Sequence, residues 1–471
     1  MKPPRQHRTS SAAASYRPDP QILALGPDFY DPVEPARFPL CAPRFVNRDW
    51  ANRVGLDLTQ QQWAAHFCSF EPLPGNLDTP LALRYHGHQF RVYNPEIGDG
   101  RGFLFAQLRD GRGRLLDLGT KGSGQTPYSR HADGRLTLKG GVREVLATEM
   151  LEALGVNTSK TFALFETGEQ LHRGDEPSPT RSSVLTRLSH GHIRIGTFQR
   201  LAFVGDADNI RKLVRYCLEV LYGEPPASDD ADNALRLFDL VSTATAGLAA
   251  SYLAAGFVHG VLNSDNISIT GESFDYGPWR FTPEWDPEFT AAYFDHYGLY
   301  AFGRQPEAIH WDLAQLAGCL SLVAEAPALS DLLAGWSDRF EDALVAAMLR
   351  RLGVARGEDD RDVAAALITA LATRARPIDR VFFDWRGGRD PGVEAYPRDE
   401  FRKLARLLAG RETPRPPHPY WSDDAPCSMH IEEVEAIWSA IADRDDWRPF
   451  EEKVTAVRRM REAMDQDARA S

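Results

Sequence analysis

The run Phe257-Val258-His259-Gly260-Val261-Leu262-Asn263-Ser264-Asp265-Asn266-Ile267-Ser268-Ile269, followed by Phe274-Asp275-Tyr276-Gly277-Pro278, holds the sharpest constellation in the 471-residue chain. It comes directly after a long helical periodicity at 232–255, so a polar loop carrying Asp265 and Asn266 opens where a helix ends. A short apolar hairpin then leads to an Asp-aromatic-Gly triplet. Two carboxylates and an amide are oxygen donors of the kind that suit Mg2+, which keeps several waters and binds through nucleotide phosphates. The same composition also suits an Asx-rich turn that caps a helix.

Protein kinases use the first arrangement: a loop Asp as base, a following Asn on Mg2+, and the Asp of an Asp-Phe-Gly turn on the same metal. That reading directs attention to the N-terminal side, where the pattern from about 81 to 166 is strand-like and punctuated by Gly and Asp. One amphipathic helix interrupts it at 141–151, with Val142, Val145, Leu146 and Met150 on one stripe. Lys121 ends a strand candidate and Glu144 lies on that helix. A strand lysine paired with a helix glutamate aims an ammonium at phosphates in kinase-like sheets; the bland alternative is two unrelated surface charges. The chain has 7 Lys against 47 Arg, so a lysine set beside an acid is informative.

Gly98-Asp99-Gly100-Arg101 lies between two strand candidates and reads as a hairpin turn or as a cradle in which Arg101 meets an anion. Arg187 and Arg194, seven residues apart, can clamp a polyphosphate, because the planar guanidinium matches its oxygens. The chain has no Gly-Lys dipeptide and so no Walker A loop, and no G-x-S-x-G elbow. His86 with His88, and His190 with His192, have strand spacing but no carboxylate or Cys at ligand spacing, and they read as core or loop histidines.

Beyond about 205 the periodicity turns helical, at 207–222, 232–255, 308–323, 327–352, 360–375, 398–410, 429–442 and 450–466. Strands are expected at 160–166 and 183–188. Thr413-Pro414-Arg415-Pro416-Pro417-His418-Pro419 reads as a stiff connector before a C-terminal helical pair. A net charge of −12 and 43% hydrophobic residues fit a globular protein without a surface-wide nucleic-acid face. The five scattered cysteines form no CxxC pair, which suggests neither a disulfide framework nor a Cys-based zinc site and fits a reducing compartment. No apolar run is long enough to span a bilayer. Residues 1–20 lack an apolar h-region and read as a disordered tail, with a mitochondrial presequence as the lesser alternative. Arg-heavy, Lys-poor usage points to a GC-rich bacterial genome and hence the cytoplasm.

From about Phe29 to Leu322 the sequence resembles the selenoprotein O (SelO/YdiU) family of kinase-like protein adenylyltransferases. The resemblance rests on Tyr85-His86-Gly87-His88-Gln89-Phe90, Gly98-Asp99-Gly100-Arg101, Lys121-Gly122-Ser123-Gly124-Gln125-Thr126-Pro127-Tyr128-Ser129-Arg130, Asp133-Gly134-Arg135, Arg143-Glu144, Ser189-His190-Gly191-His192-Ile193-Arg194, His259 through Asn266, and Asp275-Tyr276-Gly277-Pro278. It implies an α+β, protein-kinase-like two-lobed fold: an N-lobe at 21–205, a mainly helical C-lobe at 206–410 and a helical extension at 411–471. ATP would lie inverted relative to ordinary kinases, and AMP would pass to Ser, Thr or Tyr hydroxyls of proteins. Carried over by position, Asp265 matches the proton acceptor, and Asn266 and Asp275 match ligands of Mg2+, with Mn2+ as its substitute. Lys121 and Glu144 match the phosphate-binding lysine and its partner. Gly98, Gly100, Arg101, Asp133, Gly134, Arg187 and Arg194 match the remaining nucleotide contacts. Neither nucleic acid nor membrane is an expected partner.

The chain departs from the family pattern in having Arg91 where Gly is usual, and Gly140 and Gly141 where small hydroxyl residues are usual. Cys427 is followed by 44 residues, so redox control through a C-terminal thiol is not expected. The residue types alone leave three activities open: AMP transfer, transfer of the γ-phosphate as in a conventional kinase, and ATP-dependent regulation without turnover.

Overall fold

Leu104–Arg109 and Leu115–Lys121 form adjacent antiparallel strands because the intervening Asp-Gly-Arg-Gly-Arg segment makes a self-capped turn: the Asp110 carboxylate accepts from the backbone N–H groups of Arg112 and Arg114. These are β6 and β7 of a larger sheet in a computed structural model that describes residues 15–174, 176–413 and 418–470. The others are β1 (Tyr30–Pro32), β2 (Ala42–Val46), β3 (Leu81–Leu83), β8 (Leu136–Thr137), β9 (Lys160–Leu171) and β10 (Thr180–Ser189). Their order is β1-β3-β6-β7-β10-β9-β2, all antiparallel, with β8 on β10. A separate hairpin joins β4 (Gly87–Gln89) to β5 (Val92–Asn94). The fold is α+β, as the sequence pattern requires.

Helices α1 (Arg48–Arg53) and α2 (Gln60–Phe67) precede the central strands, and α3 (Leu138–Ala153) follows them. The Thr137 side chain caps α3 by accepting from Gly140 N–H. After the sheet come α4 (Ile195–Phe203), α5 (Ala207–Tyr216) and α6 (Asp230–Ala255). Asp229 caps α6, and Gly256 ends it in the left-handed conformation, φ 68°. That stop releases the chain into a two-stranded ribbon, β11 (Phe257–Val258) with β12 (Arg280–Phe281), and the polar loop lies between them. By length and composition α6 passes for a membrane span, yet 72% of its most apolar window is buried inside the protein. The remaining helices are α7 (Gln305–Leu320), α8 (Ala326–Ala334), α9 (Trp336–Leu352), α10 (Asp360–Ala372), α11 (Ile378–Asp384), α12 (Asp399–Leu408), α13 (Ile431–Arg444) and α14 (Arg448–Ala470).

Several expectations change. The periodicity at 327–352 is two helices, because Gly335 stands between α8 and α9. α4 and α11 carry no expectation from periodicity, being only 9 and 7 residues long. Cys41 and Cys68 form a disulfide although 27 residues separate them. Their pairing follows from the fold, which brings the start of β2 to the end of α2, and neither cysteine's sequence neighbours signal it. Within the expected tail, residues 16–20 are tied to the sheet: Tyr16 Oη accepts from Asn76, and Asp19 N–H donates to the Gln107 carbonyl at 3.0 Å. Residues 1–14 of that tail and 414–417 of the connector lie outside the described residues.

Candidate active site

Lys121 closes β7, and its Nζ lies 2.6 Å from Glu144 Oε2 on α3. Both side chains are buried, at 5% and 1% exposure. The strand and the helix are therefore locked in the register that the sequence pairing requires. Immediately after Lys121, Gly122 turns the chain at φ 84°, where a Cβ would meet the Ser183 carbonyl at 2.7 Å. On the other side Lys121 Nζ lies 2.7 Å from Asp275 Oδ1. Asp275 itself sits in the left-handed region, φ 63°, a conformation that costs a non-glycine residue about 1 kcal/mol or more and is concentrated at functional sites.

Arg194, 1% exposed, is held between the rings of Tyr85 and Phe274, 4.0 and 5.0 Å from its guanidinium carbon. Its Nη1 donates to the Asp265 carbonyl at 3.1 Å, and its Nη2 reaches Asp99 Oδ1 at 3.5 Å. Arg187, on β10, is buried with its guanidinium over Phe274 and its Nη1 3.9 Å from Asp275 Oδ1. Arg187 Nη1, Arg194 Nε and Asp265 Oδ1 are buried without a hydrogen-bond partner. Three such orphaned polar atoms are costly in a protein interior and fit a charged ligand that would satisfy them.

The loop around Asp265 is rigidly supported. Asn263 Oδ1 accepts from Phe90 N–H and from Tyr300 Oη, at 3.0 and 2.7 Å. Ser264 Oγ donates to Gln199 on α4 and accepts from His88 N–H, at 2.6 and 2.7 Å. His259 is fully buried, with Nε2 2.9 Å from the Phe274 carbonyl, and burial pushes its imidazole pKa down. Burial raises the Asp265 carboxyl to about 7 against the pull of Arg194, with Asp275 adding to the rise. Asp275 moves the other way. Burial would raise it, but Lys121, Arg187 and Arg101 together hold its carboxyl well below the usual range. One acid is thus tuned toward neutrality and its neighbour stays ionised, the separation expected of a base beside an anionic ligand group.

A cavity of about 310 Å³ gathers most of the site residues expected from the sequence: Gly98, Gly100, Arg101, Lys121, Arg187, Arg194, Asp265 and Asp275 line it. Glu144 stands behind Lys121. Asp133 and Gly134 do not line it. The Asp133 carboxylate is turned to the Arg173 guanidinium, at 2.9 and 3.0 Å, and Gly134 meets the glycine loop instead, accepting from Gly124 N–H at 3.2 Å. Asn266 is also off the wall, with Nδ2 committed to the Val261 carbonyl at 2.9 Å, so that only its Oδ1 could meet a cation. Among the described residues no group of three or more His, Cys, Asp or Glu side chains could hold a metal ion. Two carboxylates and one amide oxygen nonetheless fit a hard divalent cation that takes its other ligands from phosphate and water. Tyr85, Asp99 and Tyr128 line the cavity without being singled out by the sequence. All three lie inside the family-like blocks, and that position was the signal for them.

The family model described as "Protein adenylyltransferase SelO" matches residues 12–391. The chain belongs to the SelO family. Its relatives include a protein nucleotidyltransferase YdiU of Synechococcus elongatus, 42% identical over 466 residues that cover 92% of this chain and 93% of the relative. A protein of the same name from Gloeobacter violaceus is 42% identical over 461 residues, covering 94% and 95%, and one from Rhodopseudomonas palustris is 34% identical over 478, covering 93% and 92%. The likeness to the relatives runs well past residue 322, where the motif resemblance stops. This SelO-family chain is an enzyme that transfers nucleotide, with ATP as the substrate that adenylyl transfer implies.

Proposed function

We propose that the chain is a Mg2+-dependent protein adenylyltransferase that moves AMP from ATP to Ser, Thr or Tyr hydroxyls, on a kinase-like two-lobed scaffold. The observation that carries the reading is the gradient of burial in the cavity. Lys121, Arg187 and Arg194 are 5%, 7% and 1% exposed, whereas Tyr128, Gln89 and Arg101 on the same cavity are half-buried or exposed. Buried cations favour the polyanionic end of the nucleotide. The triphosphate tail then points inward and the α-phosphate lies nearer the acceptor.

In that pose the hydroxyl oxygen of the acceptor attacks the α-phosphorus and its proton passes to Asp265. The bond from the α-phosphorus to the bridging oxygen breaks, and pyrophosphate leaves with the electron pair. Asp265 is suited to the step because its carboxyl titrates near neutrality and the Arg194 hydrogen bond fixes the backbone that carries it. Lys121, Arg187 and Arg194 neutralise charge that accumulates on the leaving group. Asp275 and Asn266 are the residues that would hold Mg2+, which when bound supplies positive charge to the phosphate oxygens.

The deciding experiment incubates the protein with Mg2+ and a protein acceptor, using ATP labelled at the α-phosphate or, separately, at the γ-phosphate. Covalent label from the α-phosphate alone is expected. Label from the γ-phosphate alone makes the protein a kinase, and label from neither makes it a nucleotide-binding regulator.

A further inference from the structure

Residues 431–470 form a hairpin of α13 and α14 that lies far from the cavity in sequence yet against α3, the helix that presents Glu144. Arg458 makes a two-pronged ion pair with Glu149, both contacts at 2.8 Å, and Glu149 is only 3% exposed. One turn further, Arg461 donates to Glu152 at 2.8 Å, whose second oxygen accepts from the Trp50 indole at 3.0 Å. From α13, Glu435 accepts from Lys139 at 2.7 Å and lies 3.7 Å from Arg143. Val457, Met460 and Ala463 of α14 are buried in the same core as Val142, Val145 and Leu146 of α3.

The placement of these pairs on α3 is specific. Lys139 and Glu149 are each five residues from Glu144, so at about 100° per residue each lies about 140° around the helix from it, one on either flank of the opposite side. The hairpin grips the back of α3 while Glu144 faces Lys121 on the front. It is itself anchored to other parts of the fold. Asp445 pairs with Arg181 of β10 at 2.8 Å, and Arg459 holds Asp423 in the segment before α13.

The geometry points to the α13–α14 hairpin as a brace that sets α3, and through it the Glu144–Lys121 pair, so that Arg458 and Arg461 are positioning residues for nucleotide binding. The inference rests on the reading of Lys121 as a phosphate contact. A two-pronged pair on a buried carboxylate holds a helix in one rotational setting more strictly than apolar packing does, because a small slide forfeits both hydrogen bonds. If α3 turns or withdraws, Lys121 loses Glu144 and keeps only Asp275, which draws the ammonium away from the phosphates.

The test uses the full chain and reads ATP affinity in Mg2+ by calorimetry together with hydrogen exchange over 138–153. Arg458→Glu should weaken ATP binding about tenfold, a typical coupling between sites, and raise exchange in α3. The exchanged pair Arg458→Glu with Glu149→Arg should recover most of both. Arg448→Glu, at a residue whose side chain is 80% exposed on the same helix, should behave as the parent. If Arg458→Glu does not fold, Arg458→Gln carries the same expectation with a smaller loss. Unchanged affinity and exchange in a folded Arg458 variant, or no recovery in the exchanged pair, overturns the brace. A parent protein that fails to bind ATP overturns the nucleotide reading instead, and a change in α3 exchange reads the brace independently of it.

Discussion

Asp275 Oδ1 stands 2.7 Å from Lys121 Nζ, so the carboxylate read as a metal ligand is, without ligand, the lysine's counter-ion. Two acids, Glu144 and Asp275, share one ammonium. A triphosphate entering without a cation must displace or oppose Asp275, whose carboxyl is held ionised by Lys121, Arg187 and Arg101 against burial. Asp275→Asn should therefore have opposite effects in two conditions. In EDTA it should bind ATP more tightly than the parent, by about tenfold for one removed charge at close range. In Mg2+ it should bind more weakly than the parent and show no gain from the metal. Calorimetric titration of both proteins, with and without Mg2+, checks the crossover; parallel curves would remove Asp275 from the ligand set.

Asp265 differs from its neighbour in having an orphaned buried oxygen, Oδ1, and a carboxyl raised to about 7. Asp265→Asn keeps the shape and removes the proposed proton acceptor. Turnover should fall by about 10²-fold or more, the usual range for loss of a general base, while the affinity for ATP changes little. Single-turnover rates measured beside equilibrium binding separate the two, and an equal loss in both would make Asp265 a binding residue.

The β4–β5 hairpin approaches the Asp265 loop so closely that a Cβ on Gly87 would lie 2.8 Å from both Cβ and Oδ1 of Asp265. Gly87→Ala must push that carboxylate from its place, because Asp265 is buried and its backbone is held by Arg194. The expected result is a turnover loss approaching that of Asp265→Asn with a small change in melting temperature, read by thermal unfolding beside the α-label assay. A variant with full activity would show that the hairpin moves freely.

The sequence made the Lys121–Glu144 pair legible because a strand end followed by an amphipathic helix has few ways to pack, and both residues fall on the inward side. It made Asp265, Asp275, Arg187 and Arg194 legible through their motif blocks, and the cavity gathers all four. Asp133 stands outside that cavity, and nothing local announces that Arg173, forty residues on, captures its carboxylate. Asp99 and Tyr85 carry no individual signal in the sequence for a related reason. Their partner is Arg194, about a hundred residues away, and such long-range contacts leave no periodic trace. α4, which supplies Gln199 to Ser264 of the Asp265 loop, is too short for its period to stand out from the loop before it.

Glu166 on β9 ties three strands together: Arg44 of β2 contacts its Oε2 at 2.6 and 2.8 Å, and Arg181 of β10 spans both oxygens at 2.6 and 2.7 Å. Burial pushes its carboxyl up, yet the two guanidiniums outweigh that and hold it below its ordinary value of 4.5. A carboxylate with a depressed folded-state pKa contributes stability that is complete above the ordinary value and is lost as the pH falls through the folded one. Glu166→Gln should thus cost about 1–3 kcal/mol at pH 7, where two half-buried guanidiniums lose their shared anion. The difference from the parent should shrink as the solution is acidified below the ordinary glutamate value. Urea unfolding of both proteins at neutral and acidic pH checks the sign. A gap that stays constant or widens toward low pH would mean that the pair contributes packing and no charge-linked stability.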